Sequence, residues 1–267
     1  MKNKFESIRL KLLLSLKSLQ QYNSKLEKDI EEKSKIDEMR KQFISDVSHE
    51  LKTPIALIQG YAEGLVENVV TDDESRKFYA EVILDETNKM DKLVKKLLEL
   101  MKLEYGEMEF QNKEFNIVEL INEIVRRHKV ILDEKNINIK FKNNEEDIYV
   151  LADDFYIEQV INNYFTNAIK NAKTKRNKKY IEIKVFKNKN KVRVCIFNTG
   201  EKIKKENISK IWNRFYKADE SRNRDEGGTG IGLATVKAIM NNYNNKYGVQ
   251  NKDDGVEFYF ELNTNEL

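Results

Sequence analysis

The sequence FISDVSHELKTP, residues 43–54, places a histidine on a helix that is otherwise amphipathic. At about 100° per residue, the apolar side chains of this stretch and of the next turn gather in one stripe roughly 120° wide. His49 points away from the stripe, Glu50 follows it, and Thr53 lies one turn further along the same side. A histidine of a hydrophobic core would face the stripe, so the pattern predicts an imidazole exposed to solvent. The stripe consists of Phe43, Ile44, Val47, Leu51, Pro54, Ile55 and Ile58.

A long helix is predicted on the N-terminal side, because residues 5–48 contain neither glycine nor proline. Its apolar residues recur at spacings of three and four, which is typical of a coiled coil or a helix-bundle seam. We assign residues 1–40 to a signalling helix that passes a twist or a slide to His49. The alternative is a dimerisation helix without a signalling role. The predicted seam consists of Leu12, Leu16, Leu19, Tyr22, Leu26, Ile30, Ile36, Met39, Phe43 and Val47.

A helical hairpin is predicted for residues 41–105. After the helix of His49, a turn with Thr71 or Asp72 as N-cap should lead to a second amphipathic helix, and Gly106 should end it at a domain boundary. Two antiparallel helices cannot bury both of their apolar faces alone, whereas two hairpins form a four-helix bundle. The pattern therefore predicts a homodimer.

Residues 107–264 change to alternating helix and strand patterns and form the second predicted domain. Interleaved helices and antiparallel strands favour an α/β sandwich with its helices on one face. The predicted fold class is thus α+β, a dimeric helical hairpin followed by an α/β sandwich. The predicted strands cover 108–115, 137–141, 148–152, 180–186, 191–198 and 256–262, and the predicted helices cover 117–135, 155–172 and 231–243.

The composition argues against several classes of function. Of the 267 residues 35% are charged, but the net charge is only +3, which argues against a nucleic-acid binder. Two histidines exclude a histidine-rich metal site, and a single cysteine, Cys195, excludes an internal disulfide and suits a reducing cytosol. Because Cys195 lies in an alternating apolar run, we expect a small buried side chain there. Neither a membrane span nor a signal peptide is expected from the apolar runs.

Residues 48–54, Ser-His-Glu-Leu-Lys-Thr-Pro, resemble the phospho-acceptor box of sensor histidine kinases, the ATP-dependent enzymes of bacterial two-component systems. Seven contiguous matching residues around a histidine make a strong signal. Together with the motifs below, the resemblance extends over about residues 40–263. It implies a dimerisation and histidine phosphotransfer domain at 41–105 and a catalytic ATP-binding domain at 107–264.

Three motifs of the second domain resemble the boxes of the Bergerat-type ATPases, the nucleotide domain of histidine kinases. The first is NYFTNAIK, residues 163–170. Asn163 and Asn167 are four residues apart, so both carboxamides leave one face of a helix. Mg²⁺ prefers oxygen ligands, and two neutral amides leave coordination positions for phosphates and waters. Lys170, one turn further on, can reach a phosphate.

The second motif is NTG, residues 198–200. The family usually has an aspartate where Asn198 stands, and this aspartate accepts a hydrogen bond from the adenine amino group. The oxygen of an asparagine can also accept, but without charge. This departure from the family pattern concerns nucleotide affinity and base selectivity and not the presence of the site. Gly200 fits that pattern, whereas Glu201 and Lys202 replace the usual second glycine.

The third motif is GTGIGL, residues 228–233, directly before a predicted helix. Glycines permit close backbone approach, and the N–H groups of a helix start suit a polyphosphate. The motif is neither a Rossmann fingerprint, since no βαβ unit surrounds it, nor a Walker A loop, since the Gly-Lys-Ser/Thr ending is missing. The resemblance assigns nucleotide binding to Gly228, Gly230, Gly232 and Leu233.

The segment WNRFYK, residues 212–217, resembles the aromatic box of the same family. The resemblance implies that Tyr216 and Lys217 contact the nucleotide, while Phe215 anchors the loop. Residues 219–227 are charged and end in glycine, and we expect them to form a mobile lid that orders around ATP.

The resemblance implies that His49 attacks the γ-phosphoryl group of Mg-ATP and that the phosphoryl group passes to an aspartate of a response regulator. Glu50 is expected to act as a general base or to orient the imidazole. The pattern Glu50-x-x-Thr53 matches one that this family uses for the reverse, phosphatase activity, with Thr53 placing a hydrolytic water. The chain is then expected to be the cytoplasmic portion of a membrane-bound sensor kinase, with the N-terminal sensor segment absent.

Two other functions fit parts of the sequence. One is a non-catalytic dimeric scaffold that binds ATP as a conformational switch. The other is an ATPase of the same nucleotide fold that works as a mechanical clamp, which the box around His49 disfavours. Acid-labile, alkali-stable label on the protein after incubation with labelled ATP would distinguish the kinase from both.

Overall fold

The structure, a computed structural model, describes residues 2–106, 108–143, 145–216 and 229–264. Within the first helix, side chains are described from residue 16 onwards, except at 21, 32, 35–37, 39 and 40. The chain divides into two compact units, residues 1–90 and residues 91–267. Among the described residues, no helix combines the length and the apolar character that crossing a membrane requires.

Two helices joined by a short turn make up the first unit, and the second of them continues into the second unit. Helix α1 spans Lys2–Val66 and helix α2 spans Asp73–Glu104. Asp72 caps α2, because its Oδ1 accepts a hydrogen bond of 2.7 Å from the backbone N–H of Ser75. This hydrogen bond also lowers the pKa of the Asp72 carboxyl. The predicted helical hairpin and its N-cap are confirmed, whereas the dimer stays a prediction.

Aromatic side chains join α1 to α2 next to the turn. Tyr61 packs edge-on against Tyr79, with ring centroids 4.8 Å apart, and against Phe78 at 6.2 Å. Gly64 allows this approach, because a Cβ at its position would lie 2.7 Å from Cε2 of Tyr79. Much of the apolar surface of the hairpin stays exposed within one chain. The exposed side chains include Ile44, Ile55, Leu57, Phe78 and Leu84 of the hairpin and Leu16, Leu19, Tyr22, Leu26 and Ile30 of the predicted N-terminal seam.

The described part of the second unit is a mixed α/β structure. Its strands are β1 (Lys113–Asn116), β2 (Asn138–Asn143), β3 (Tyr149–Ala152), β4 (Tyr180–Asn188), β5 (Lys191–Thr199), β6 (Tyr247–Lys252) and β7 (Gly255–Asn263). Its helices are α3 (Ile117–Arg127), α4 (Lys129–Glu134), α5 (Asp154–Asn171) and α6 (Gly232–Asn242), with 3-10 turns at Lys205–Asn207 and Lys210–Trp212.

Five strands form the main sheet in the order β2-β4-β5-β7-β6, and β1 pairs with β3 in a separate two-stranded sheet. Helix α5 packs on β5 and against α3 and α6, so the helices cover one face of the main sheet. The largest fully buried side chains include Tyr164 and Phe165 of α5 and Phe260 of β7. The opposite face carries charged residues such as Lys184 and Glu257. The predicted α/β sandwich is confirmed.

The structure differs from the predicted elements in four places. Strand β6 was not predicted, and β2 lies parallel to β4, although only antiparallel strands were expected. The predicted helix 117–135 is interrupted at His128, whose ring packs edge-on against Phe165. The predicted strand 108–115 is reduced to β1, because the backbone N–H of Gln111 bonds the side chain of Asp153 instead of a strand. Strand β6 forms through pairing with the neighbouring β7, whereas the other three differences depend on contacts between residues that are distant in sequence.

Cys195 lies on β5 and is buried, as the alternating pattern predicted. Its pKa is raised to about 11, chiefly because burial removes the thiolate from water. The thiol therefore stays protonated near neutral pH and behaves as a small apolar side chain.

The C-terminal part of α2 packs in the second unit. Leu100 and Leu103 are buried there. Gln159 of α5 donates a hydrogen bond of 3.0 Å to Glu99, and Asn242 of α6 donates one of 2.9 Å to the carbonyl of Leu103. The compact units thus divide between residues 90 and 91. The domain ranges 1–40, 41–105 and 107–264 remain predictions.

We expect Phe260→Ala to lower the free energy of unfolding of the second unit by about 3–5 kcal/mol, because it removes a fully buried ring beside Tyr164. Urea denaturation can be followed by the fluorescence of Trp212, the only tryptophan of the chain, which packs against Tyr247 in the same unit. Phe186→Ala is the control, since Phe186 is 43% exposed and should cost less than ~1 kcal/mol. Equal losses in the two variants would contradict this description of the core.

Candidate active site

The predicted phospho-acceptor lies on α1 in the first unit. His49 and Thr53 are exposed and Glu50 is half-buried. The residue before the histidine, Ser48, bonds its own helix, because its Oγ donates a hydrogen bond of 2.7 Å to the carbonyl of Ile44. Because His49 is exposed, its imidazole is open to an approaching reactant, as the helical projection predicted.

A cleft of about 600 Å³ lies in the second unit. Helix α5 contributes its polar wall, and the start of α6 with the preceding residues 229–231 contributes a second wall. Ile211, Val256 and Phe258 contribute an apolar wall. The cleft can thus hold a ligand with a flat apolar part and a charged part, as a nucleotide has.

The polar wall carries Asn163 and Asn167, which are one helical turn apart and both line the cleft. Oδ1 of Asn167 accepts a hydrogen bond of 2.8 Å from Nδ2 of Asn171, which orients its carboxamide. Lys170 lines the cleft further along the same helix. This face of α5 therefore offers amide oxygens and a cation to an anionic ligand.

Two glycines of the third motif, Gly230 and Gly232, are required by close contacts. Gly230 has φ of 68°, and a Cβ there would lie 2.5 Å from Cα of Phe215. The backbone N–H of Phe215 donates a hydrogen bond of 3.0 Å to the carbonyl of Gly230. At Gly232, the first residue of α6, a Cβ would lie 2.8 Å from Oδ1 of Asn163. Larger residues at either position would displace a neighbour that shapes the cleft.

The start of α6 can receive an anion. Its N-cap residue, Ile231, supplies no side-chain hydrogen bond to the first turn. The N–H groups of that turn and the positive end of the helix dipole therefore suit a phosphate group. Gly232 and Leu233, the first residues of the helix, both line the cleft.

The apolar wall includes one amide. Asn198, at the end of β5, is 2% exposed, and its Nδ2 donates a hydrogen bond of 3.2 Å to the carbonyl of Thr199. Gly200 lies beside the cleft rather than on its surface. Its N–H donates to the carbonyl of Asp254 at 2.9 Å, and a Cβ would lie 2.6 Å from the carbonyl oxygen of Asn171. Gly200 therefore contributes to the shape of the site through close packing rather than through contact with a ligand.

The second unit brings most of the predicted nucleotide-binding residues together around one cleft. Lys217 and Gly228, and with them the predicted lid at 219–227, lie outside the described residues. The predicted residues that line the cleft are Asn163, Asn167, Lys170, Asn198, Tyr216, Gly230, Gly232 and Leu233. Their roles in binding remain predictions.

Other lining residues were not identified from the sequence. Asn162 and Thr166 lie next to the asparagines on α5, so their helical spacing could have indicated them. The apolar wall and Lys96 and Glu99 of α2 had no local signal, because they reach the cleft through long-range packing.

Comparisons with known sequence families agree with both parts of this description. Residues 39–106 match the family described as "His Kinase A (phospho-acceptor) domain". Residues 152–266 match the family described as "Histidine kinase-, DNA gyrase B-, and HSP90-like ATPase". Among solved structures, the catalytic domain of the histidine kinase ThkA is 32% identical, with a TM-score of 0.51, and the match covers 59% of this chain and 97% of that one.

The chain belongs to the histidine kinase family. A second structure, ThkA in complex with the response regulator TrrA, is 28% identical with a TM-score of 0.65, over 84% of this chain and 61% of that one. The ATPase match supports ATP as the nucleotide of this histidine kinase.

Curated relatives of this histidine kinase are sensor proteins. SrrB of Staphylococcus aureus is 29% identical over 236 residues, which cover 88% of this chain and 40% of SrrB. WalK of Staphylococcus haemolyticus is 34% identical over 223 residues, which cover 82% of this chain and 35% of WalK. The chain thus spans about two fifths of the length of these relatives.

We expect Gly232→Ala to weaken ATP binding about 10-fold or more, equivalent to ~1.4 kcal/mol, because the new methyl group would push Asn163 out of position. Displacement of a fluorescent nucleotide measures the affinity, and circular dichroism checks that the variant is folded. Gly60→Ala is the control, since a Cβ at that position meets nothing within 4 Å. Equal affinities in the two variants would contradict the role given to this contact.

Proposed function

We propose that this chain is the catalytic part of a sensor kinase that transfers the γ-phosphoryl group of ATP to His49 and then to an aspartate of a response regulator. The observation that carries the proposal is the solvent-exposed imidazole of His49 within the region that matches the phospho-acceptor family. A buried ring would have no access to a nucleotide. The cleft of the second unit supplies the matching nucleotide site.

The transfer forms a bond between an imidazole nitrogen of His49 and the γ-phosphorus, while the bond from that phosphorus to the β–γ bridging oxygen breaks and ADP leaves. Glu50, the half-buried residue that follows His49 in the chain, is given the role of holding the proton on the opposite nitrogen, which keeps the attacking nitrogen basic. Most of the rate enhancement comes from positioning and charge neutralisation, to which Lys170 on the wall of the cleft contributes a cation. The resemblance gives the same role to Lys217, which lies outside the described residues.

Asn163 and Asn167 fit a magnesium ion that arrives bound to the triphosphate. Their amide oxygens are the hard donors that Mg²⁺ accepts, and Oδ1 of Asn163 is directed towards the start of α6, where phosphates would lie. The described residues contain no group of three or more histidine, cysteine or acidic side chains that could hold a metal. In this proposal the triphosphate brings most of the charge that holds the ion, and the bound ion would neutralise the developing negative charge.

Two partners complete the proposal. The exposed apolar side chains of the hairpin support a homodimer in which two hairpins form a four-helix bundle. The complex of the related ThkA with a response regulator supports a regulator as the acceptor of the phosphoryl group. ATP and such regulators are cytoplasmic, so we place the activity of this chain in the cytoplasm, with signals received through a membrane-bound sensor segment.

Incubation with γ-labelled ATP and Mg²⁺ should place acid-labile, alkali-stable label on the protein, as a phosphohistidine requires. His49→Ala should lose this label completely. His128→Gln, which changes the only other histidine, is the control and should keep it. Label that survives in His49→Ala would overturn the proposal, and no label on the folded wild-type protein would favour a non-catalytic scaffold.

We further expect Thr53→Ala to slow dephosphorylation of the cognate regulator by roughly 10-fold or more, because the hydroxyl would no longer position a water. Labelling of His49 should change less than about twofold, since Thr53 takes no part in that transfer. Regulator found by phosphotransfer profiling serves as the substrate. The exposed Thr71 provides a control variant, Thr71→Ala. Unchanged dephosphorylation in Thr53→Ala would remove the phosphatase role from this residue.

A further inference from the structure

The apolar wall of the cleft contains two buried polar side chains, Asn198 and Thr235, which are 2% and 6% exposed. The hydroxyl of Thr235 donates a hydrogen bond of 3.1 Å to the carbonyl of Ile231, one helical turn before it. Its only proton is therefore used within the protein. Asn198 is the residue of this wall whose side chain can both donate to a bound base and accept from it.

Strand pairing fixes where Asn198 lies. In the register of the sheet it stands between Ile181 of β4 and Val256 of β7, which are both buried on the face that packs against the helices. Val256 and Phe258 line the cleft beside it. A flat base that covers these apolar side chains would bring a polar edge close to the amide of Asn198.

The present orientation of the amide favours an amino group on that edge. Nδ2 of Asn198 donates to the carbonyl of Thr199, so Oδ1 is the atom that can face a ligand. An acceptor at this place suits the 6-amino group of adenine. A carboxylate would offer the same acceptor with a full charge.

The amide can also take the opposite orientation, which a carboxylate cannot imitate. Rotation by 180° about the bond between Cβ and Cγ exchanges oxygen and nitrogen and presents a donor to the ligand. The carbonyl of Thr199 would keep its other hydrogen bond, of 2.9 Å, from the backbone N–H of Lys173. The rotation sacrifices one hydrogen bond between neutral groups and turns Oδ1 towards the carbonyl oxygen of Thr199, so the amide must also tilt to separate the two acceptors.

We propose that Asn198 lets this cleft accept 6-oxopurine nucleoside triphosphates alongside ATP. The proposal rests on the proposed function, because it names the substrate class of the same site. Loss of this hydrogen bond together with the approach of two neutral acceptors corresponds to a preference for ATP of about 5- to 30-fold. An aspartate in the same place would bring its negatively charged oxygen close to the 6-oxo oxygen. It would therefore favour ATP over 6-oxopurine triphosphates by roughly 100-fold or more.

Inosine 5′-triphosphate is the probe, because it differs from ATP only at the 6-position and in the proton on the neighbouring ring nitrogen, and it lacks the 2-amino group of GTP. A fluorescent ADP analogue is displaced by ATP and by inosine triphosphate, with Mg²⁺ present. The measured quantity is the dissociation constant of inosine triphosphate divided by that of ATP. We expect a ratio of about 5–30 for the wild type and of roughly 100 or more for Asn198→Asp. Labelling of His49 from the two γ-labelled triphosphates should follow the same order.

Asn162→Asp is the matched control. It makes the same change from amide to carboxylate at a residue that lines the cleft on α5, where its amide bonds Glu158. The added charge should weaken both nucleotides alike and leave their ratio within about twofold of the wild type. A ratio that rises equally in both variants would mean that charge in the cleft, rather than the orientation of Asn198, sets the preference.

The wild-type ratio decides the proposal even if Asn198→Asp does not fold. A ratio of roughly 100 or more in the wild type would overturn the tolerance of 6-oxopurines while leaving ATP as substrate. Failure of ATP itself to displace the fluorescent nucleotide would instead overturn the proposed function.

Discussion

The cleft depends on a contact between two stretches of backbone, Phe215 and Gly230. The N–H of Phe215 bonds the carbonyl of Gly230, and the space between them is too small for a Cβ. The contact holds Tyr216 and the start of α6 at fixed positions on the two sides of residues 217–228. Gly232, at the start of α6, in turn lies close to Asn163 on α5. The amide oxygens of α5 and the backbone N–H groups of α6 therefore line the same cleft. Without the two glycines the motifs would be present in the sequence but not assembled.

The features that the sequence predicted well are those decided within one element. The spacing of Asn163 and Asn167 fixes their common face as soon as α5 is a helix, and α5 is stabilised locally by its N-cap Asp153. The exposure of His49 follows from the helical projection in the same way. The hairpin of β4 and β5 was recognised because alternation continues on both sides of a short polar turn.

The features that were missed are decided between elements. Strand β6 contains glycine, asparagine and lysine and has little tendency to form a strand, yet its pairing with β7 makes it one. Likewise, nothing near Lys96 or Glu99 in the sequence indicates that α2 reaches the cleft. The hydrogen bond from Gln159 to Glu99 and the ion pair of Arg214 with Glu104 hold that helix in the second unit, and both join residues at least 60 positions apart. Local patterns carry no information on such contacts.

In the proposed function, the metal site of the cleft rests on neutral amides. Asn163 and Asn167 offer oxygen atoms without a net charge, so a magnesium ion held by them would also need the charge of a triphosphate. The start of α6 and Lys170 would then balance the remaining phosphate charge. Metal and nucleotide would therefore bind together rather than in turn. Loss of the γ-phosphate would weaken the hold on the metal, so ADP would leave more readily than ATP and would free the exposed His49 for the next transfer of the proposed cycle.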